Sequence, residues 1–195
     1  MTRTAHIARQ TNETDITVTL CIDGSGTADV CTGVPFFDHM LHVFSRHGLF
    51  DLVVAARGDV HIDDHHTVED VALCLGRAVC AAVGDKIGVQ RYGHAIVPMD
   101  EAMATVAIDL SGRAYFGWRG KLPGAFVKTF DTELVHEFLW KFSQEAKLTL
   151  HVQLDAGDNT HHCIEAIFKA LGRALDAATR IDERVIGVPS TKGVL

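Results

Sequence analysis

From His65 to Ala78 the apolar residues fall at Val68, Val71, Ala72 and Leu75, with Val79 following. This is the i, i+3/i+4, i+7 spacing of an amphipathic helix. A second run with the same spacing begins 96 residues later, at Ile164, Ile167, Phe168, Leu171 and Leu175. Set side by side without a gap, His65 to Ala78 and His161 to Ala174 are identical at seven of fourteen positions. Both open on His-His-x-x-Glu and close on Leu-Gly-Arg-Ala. Asp64 and Thr160 precede the two runs and are the expected N-caps.

The elements upstream of each run recur in order, which marks a duplicated unit rather than two coincident motifs. In the first half, Arg9 to Ile22 alternates as a strand, Thr27 to Cys31 is a short strand, Phe36 to His47 reads helical and Phe50 to Ala56 is a strand. In the second, His94 to Val97, Ala102 to Leu110 and Ala114 to Trp118 read as strands, Thr132 to Ala146 as a helix and Leu148 to Leu154 as a strand. Each half is therefore expected to be βββαβα in an α+β fold. The halves span residues 1–88 and 89–195, with turns at Gly88 and Gly93. A sheet with helices on one face must cover them with something apolar. Two such halves cover each other, with helices inward and sheets outward, as one compact unit.

Composition narrows the function. The 195 residues are 47% hydrophobic and 22% charged with four Pro, which excludes disorder. A net charge of -7 argues against a broad nucleic-acid footprint, though not against a local anion pocket. The first ten residues lack an apolar core of signal-peptide length, and no run approaches the ~20 apolar residues of a membrane span. A soluble cytoplasmic protein is expected. Five Cys without paired spacing speak against a disulfide framework. The unusual feature is 12 His, the side chain suited both to metal binding and to proton exchange near neutral pH.

Adjacent helical residues point ~100° apart, so His65 and His66 are placed to serve two different ions. Glu69 follows His65 at i+4 and can converge with it on one metal. The repeat divides His161 with Glu165 from His162 in the same way. Further donors stand at His39 and at His136 or Glu137, either of which can bind. Imidazole with carboxylate and no thiolate suits Mn, Fe, Co, Ni or Zn. His151 reads as a structural residue within a strand, and His6, His42, His61 and His94 carry no partner pattern.

Five segments together resemble the imidazoleglycerol-phosphate dehydratase family. They are Arg9-Gln10-Thr11-Asn12-Glu13-Thr14, Phe36 through Leu41, Asp63 through Asp70, Asp109-Leu110-Ser111-Gly112-Arg113 and Pro189-Ser190-Thr191-Lys192-Gly193. The resemblance implies a ribosomal protein S5 domain 2-like duplication, with two four-stranded sheets sandwiching four helices, and a homo-oligomer of 24 subunits built from trimers. It implies metal ligands His39, His65, His66, Glu69, Glu137, His161, His162 and Glu165, holding two Mn2+ ions per active site. It places substrate contacts at Glu13, His39, His47, Arg91, Arg113, Lys169, Ser190, Thr191 and Lys192. Some members have His and others Glu at the place of Glu137.

The implied substrate is a small phosphorylated imidazole, imidazole glycerol phosphate, and the implied reaction is loss of water to imidazole acetol phosphate in histidine biosynthesis. The C–H to be broken is not acidic. In the implied mechanism, Lewis acids on the ring nitrogens would favour an imidazolate; as the neighbouring hydroxyl departs as water, the ring would become a diazafulvene, which acidifies that C–H. Glu13 is the candidate base, or only orients a hydroxyl; a metal-bound water or a His is the alternative base. His65 and His161 complete the expected catalytic set. Asp100 and Glu101, at the corresponding place in the second half, are expected to be structural or interfacial. Two rival classes remain at this level. A dinuclear phosphoesterase would release phosphate, and a non-enzymatic metal-linked shell would leave substrate unconsumed.

Overall fold

The computed structural model describes residues 2–195. The chain begins with an antiparallel hairpin of β1 (Thr4–Gln10) and β2 (Thr14–Cys21). The sequence pattern merges these into one strand from Arg9. The structure separates them because Thr11 folds the chain back: its amide donates to Thr14 O at 2.8 Å, and its hydroxyl accepts from the Glu13 and Thr14 amides. In β1 only Ala5 is fully buried, so its alternation is too faint to read as a strand.

Then follow β3 (Ala28–Cys31), α1 (Pro35–Gly48), β4 (Asp51–Gly58) and α2 (His65–Val83). The order continues with β5 (Tyr92–Met99), β6 (Ala102–Asp109), β7 (Tyr115–Arg119), a two-residue hairpin of β8 (Phe126–Val127) and β9 (Phe130–Asp131), α3 (Glu133–Ala146), β10 (Thr149–Ala156) and α4 (Thr160–Thr179). No sequence pattern announces the β8/β9 hairpin.

The first sheet has the order β1-β2-β4-β3 and the second β5-β6-β10-β7. In each, the only parallel pair joins the short edge strand to the last strand, β3 with β4 and β7 with β10. Strand alternation buries Ile16, Val18 and Leu20 of β2 and Ala104, Val106 and Ile108 of β6. Helix α2 packs on β1 and β2, and α4 on β5 and β6. The helices meet crosswise between the sheets, α2 against α3 and α1 against α4. The result is an α+β arrangement of two outer sheets around four helices.

The apolar positions read from the two matching runs are all buried in α2 and α4. Between the helices Phe37, Phe44, Phe138, Phe142 and Phe168 are at most 1% exposed. Each contributes roughly 1.5–3 kcal/mol by leaving water. The Leu-Gly-Arg-Ala segments explain how the helices come so close. A Cβ on Gly76 would sit 2.7 Å from the Phe142 carbonyl oxygen of α3, and one on Gly172 would collide with the Phe44 carbonyl oxygen of α1. Among the described residues no helix is long and apolar enough to cross a membrane.

Candidate functional site

The two His-His pairs stand at the first turns of α2 and α4, where helix amides need acceptors. Asp64 is the N-cap residue of α2, as expected, but makes no side-chain capping bond; the Asp63 carboxylate accepts from the His65 amide at 2.8 Å instead. Thr160 lies inside α4, and Asn159 is its N-cap, accepting from the His161 and His162 amides at 2.9 and 3.3 Å. These bonds tie His65 of the first pair, and both histidines of the second, to the start of their helix. Their rings diverge as the helical rotation requires, with interplanar angles of 89° for His65 and His66 and 82° for His161 and His162.

The crossing of α1 over α4 brings His39 to His161. Both Nε2 atoms approach Glu165 Oε2, at 3.2 and 3.1 Å, while Lys169 Nζ takes Glu165 Oε1 at 2.9 Å. Burial pushes the Glu165 carboxyl up, but the hydrogen bonds from Lys169, His161 and His39 outweigh it and hold it below its ordinary value. Phe36 closes one side of this cluster, its ring 5.2 Å from that of His161.

The crossing of α2 over α3 builds the other cluster. His65 Nε2 lies 3.9 Å from Glu69 Oε2, and Glu137 of α3 joins them. In each trio, one ligand atom per residue falls within 4.8 Å of the others. The open side of the second trio faces a cavity of about 840 Å³ lined by Asp63, His65, Phe126, Asp131, His136 and Glu137. His136 is not part of the trio. It packs on Phe116 and Trp118, at 4.9 and 6.0 Å between ring centroids.

The remaining two histidines lie outside both trios, and His162 forms a third group of close donors with Asp100 and Glu101. His66 Nδ1 bonds Asp59 at 2.9 Å with Glu13 at 3.9 Å, and His162 Nδ1 bonds Glu101 at 2.9 Å with Asp100 at 4.0 Å. The hydrogen bond to Asp59 raises the His66 pKa, and the one to Glu101 raises that of His162. The His162 bond and the Asn159 amide together hold the Glu101 carboxyl down at about 2. A carboxylate on Nδ1 fixes an imidazole's orientation and directs Nε2 outward, the arrangement found behind metal-ligating histidines.

The residues implied for the substrate divide by position. Lys169 sits beside the Glu165 cluster, and His47 lies two turns beyond His39 on α1. Its pKa is lowered by burial and by the charges of Lys169 and Arg173. Glu13 stands beside His66, outside both trios. Arg91, Arg113, Ser190, Thr191 and Lys192 belong to the opposite end of the molecule. The Arg91 amide donates to Ala178 O near the end of α4, about 25 Å from His161 at the helical rise of ~1.5 Å per residue. Arg91 is clamped there by Asp109, at 2.7 and 3.2 Å, and donates to Pro189 O at 2.9 Å, so it anchors the C-terminal segment. Arg113 reaches only the Ser111 carbonyl. A single chain therefore gathers six of the eight expected ligands and leaves the phosphate-type contacts remote.

Sequence reading missed Asp59, Asp63 and Asn159, whose roles depend on a bend preceding a helix. It also missed Lys141, which stands at i+4 from Glu137 and was legible as an ion pair on α3. His151 packs on the Tyr115 ring at 5.3 Å.

Two outer sheets over crossed helices, with His and Glu converging at the helix starts, define an α+β protein whose clustered donors could hold a metal ion. Residues 32–175 match the family model for imidazoleglycerol-phosphate dehydratase. Over all 195 residues and the full length of the relative, the chain is 61% identical to imidazoleglycerol-phosphate dehydratase of Geobacillus kaustophilus. It is also 61% identical to that of Bacillus subtilis, over 99% of this chain and all of the relative. Among solved structures, that of imidazoleglycerol-phosphate dehydratase from Staphylococcus aureus superposes with a TM-score of 0.83 at 38% identity, covering 92% of this chain and 99% of that one. The Pyrococcus furiosus structure in complex with (S)-C348 gives 0.83 at 35% identity, covering 97% and 100%. The chain belongs to the imidazoleglycerol-phosphate dehydratase family and is a carbon–oxygen hydro-lyase.

Proposed function

We propose that the chain removes water from imidazole glycerol phosphate, giving imidazole acetol phosphate in histidine biosynthesis, with two divalent ions held by His39, His161 and Glu165 and by His65, Glu69 and Glu137. The observation that carries this reading is the pair of three-donor clusters, each assembled from both halves of the chain. The donor set fits the group: imidazole and carboxylate without thiolate suit Mn2+ and its divalent neighbours. Mn2+ is the ion we assign. When bound, the ions supply Lewis acidity toward the nitrogens of the substrate ring, which loosens the hydroxyl beside the ring.

His66 and His162 complete the two sites from neighbouring copies of the chain. Their Nδ1 atoms are engaged and their Nε2 atoms free, which is the state a ligand donated across an interface requires. Glu13 is 3.9 Å from His66 Nδ1 and travels with it into the neighbour's site, where it takes the proton of the carbon bearing the second hydroxyl. Arg91, Arg113, Ser190, Thr191 and Lys192 arrive by the same route and hold the phosphate, while Lys169, beside the Glu165 cluster, and His47, two turns beyond His39, contact substrate from the same chain as that cluster. The sites are then complete only in a homo-oligomer, which we take to be 24 subunits built from trimers, working in the cytoplasm. The identical strand order of the two sheets supports a duplication with halves 1–88 and 89–195.

The test is an assay for imidazole acetol phosphate on chelated protein before and after Mn2+ is returned. Turnover is expected to vanish on chelation and recover with the ion; turnover indifferent to chelation overturns the metal reading.

A further inference from the structure

The two trios differ by one charge. The cluster of α1 and α4 has two imidazoles and one carboxylate, whereas that of α2 and α3 has one imidazole and two carboxylates. All else equal, the second attracts a divalent ion more strongly and fills first. Next to it stands Lys141, one turn after Glu137 on α3. Its Nζ lies 2.9 Å from Glu69 Oε1 and 3.4 Å from Glu137 Oε1, with the side chain 24% exposed. The ammonium also rests over the Trp140 ring, 4.6 Å from its centroid, which fixes it in place. The lysine does not take the ligand position. Glu69 keeps Oε2 turned to His65 while Oε1 meets Lys141, just as Glu165 keeps Oε2 for its histidines and gives Oε1 to Lys169.

We propose that Lys141 is a positioning residue and built-in counter-ion for the two-carboxylate cluster, holding Glu69 and Glu137 side by side before an ion arrives and weakening that site's attraction for divalent cations. The proposal rests on the metal reading above. Two carboxylates facing each other within 4.8 Å repel, and a cation bridging their outer oxygens offsets that repulsion in the metal-free protein. The same cation opposes a second positive charge beside it, so the lysine trades affinity for a preformed site.

The experiment is calorimetric titration of chelated, assembled protein with Mn2+, comparing wild type with K141M, K141Q and K141R. Wild type is expected to fill two sites. K141M should tighten one of them by about tenfold or more, leave the other unchanged, and lower the melting temperature of the metal-free protein. K141R should restore both properties, and K141Q serves as the neutral variant if K141M does not assemble. An unchanged or weakened affinity in the neutral variants overturns the proposal, as does an unchanged metal-free melting temperature. If wild type itself binds no Mn2+, it is the metal reading that fails instead.

Discussion

The two helix crossings use one plan and finish it differently. In each, a glycine of a Leu-Gly-Arg-Ala segment lets two helices touch, and a histidine at a helix start meets a residue from the other half. At the crossing of α1 and α4 the incoming ligand is His39; at that of α2 and α3 it is Glu137. Farther along the same crossings, Arg77 finds Glu145 at 2.8 Å. In the other crossing His47 stands near Lys169 and Arg173 with its pKa lowered. The comparison teaches that a shared backbone arrangement fixes where side chains converge, while single substitutions set the charge of what converges.

The largest effects should come from the clusters. H161A and H65A each remove one trio's imidazole, and each is expected to lose about one equivalent of metal and at least ~10³-fold in turnover, measured by elemental analysis and product assay. Loss of both ions in either variant would show the sites to be coupled rather than separate. E13Q should lower turnover by roughly 10²–10⁴-fold while metal content stays intact; near-normal turnover would remove Glu13 from proton transfer.

Next come the crossings. G76A and G172A each push a Cβ against backbone, so a loss of about 1–3 kcal/mol is expected in denaturant unfolding. If only one of the pair is damaged, the crossings are not equally tight. The caps follow: N159A should cost about 1 kcal/mol because Asn159 receives two amides, and D63A less. Equal losses would show that the second amide bond adds nothing.

The smallest effects concern pH. Glu145 is held below its ordinary value by the Arg77 guanidinium, so its contribution is complete above the unfolded carboxylate pKa and lost as pH falls through the folded one. His47 is also depressed, by burial and neighbouring cations. The folded state disfavours its protonation, so stability falls as pH drops below the unfolded imidazole value of ~6.5. Melting temperatures should therefore decline in two windows. H47Q flattens the upper and E145Q the lower, each by well under about 1 kcal/mol for such exposed groups. A single window abolished by either variant would merge the two causes.

Much of this was legible before any coordinates. The buried faces of α2 and α4 followed from spacing alone, because a helix must turn its apolar stripe to the core, and the division of each His-His pair followed from helical rotation. The strand β1 was hidden because an edge strand buries little. Helical spacing alone left both His136 and Glu137 open, and only the family resemblance favoured Glu137; the aromatic surface of Phe116 and Trp118 takes His136 and leaves Glu137 to the trio. Glu101 reaches His162, and Lys141 reaches Glu69, across long separations in the chain, and no local pattern marks such partners.

By itself the sequence determined the four helices and most strands, the repeat of the His-His-x-x-Glu helix and the family, because periodicity and motif are local properties of the chain. Only the tertiary structure decided which histidines meet which carboxylates. That depends on two helix crossings made possible by Gly76 and Gly172, and on rings oriented by the hydrogen bonds that the Nδ1–H groups of His66 and His162 donate to carboxylates.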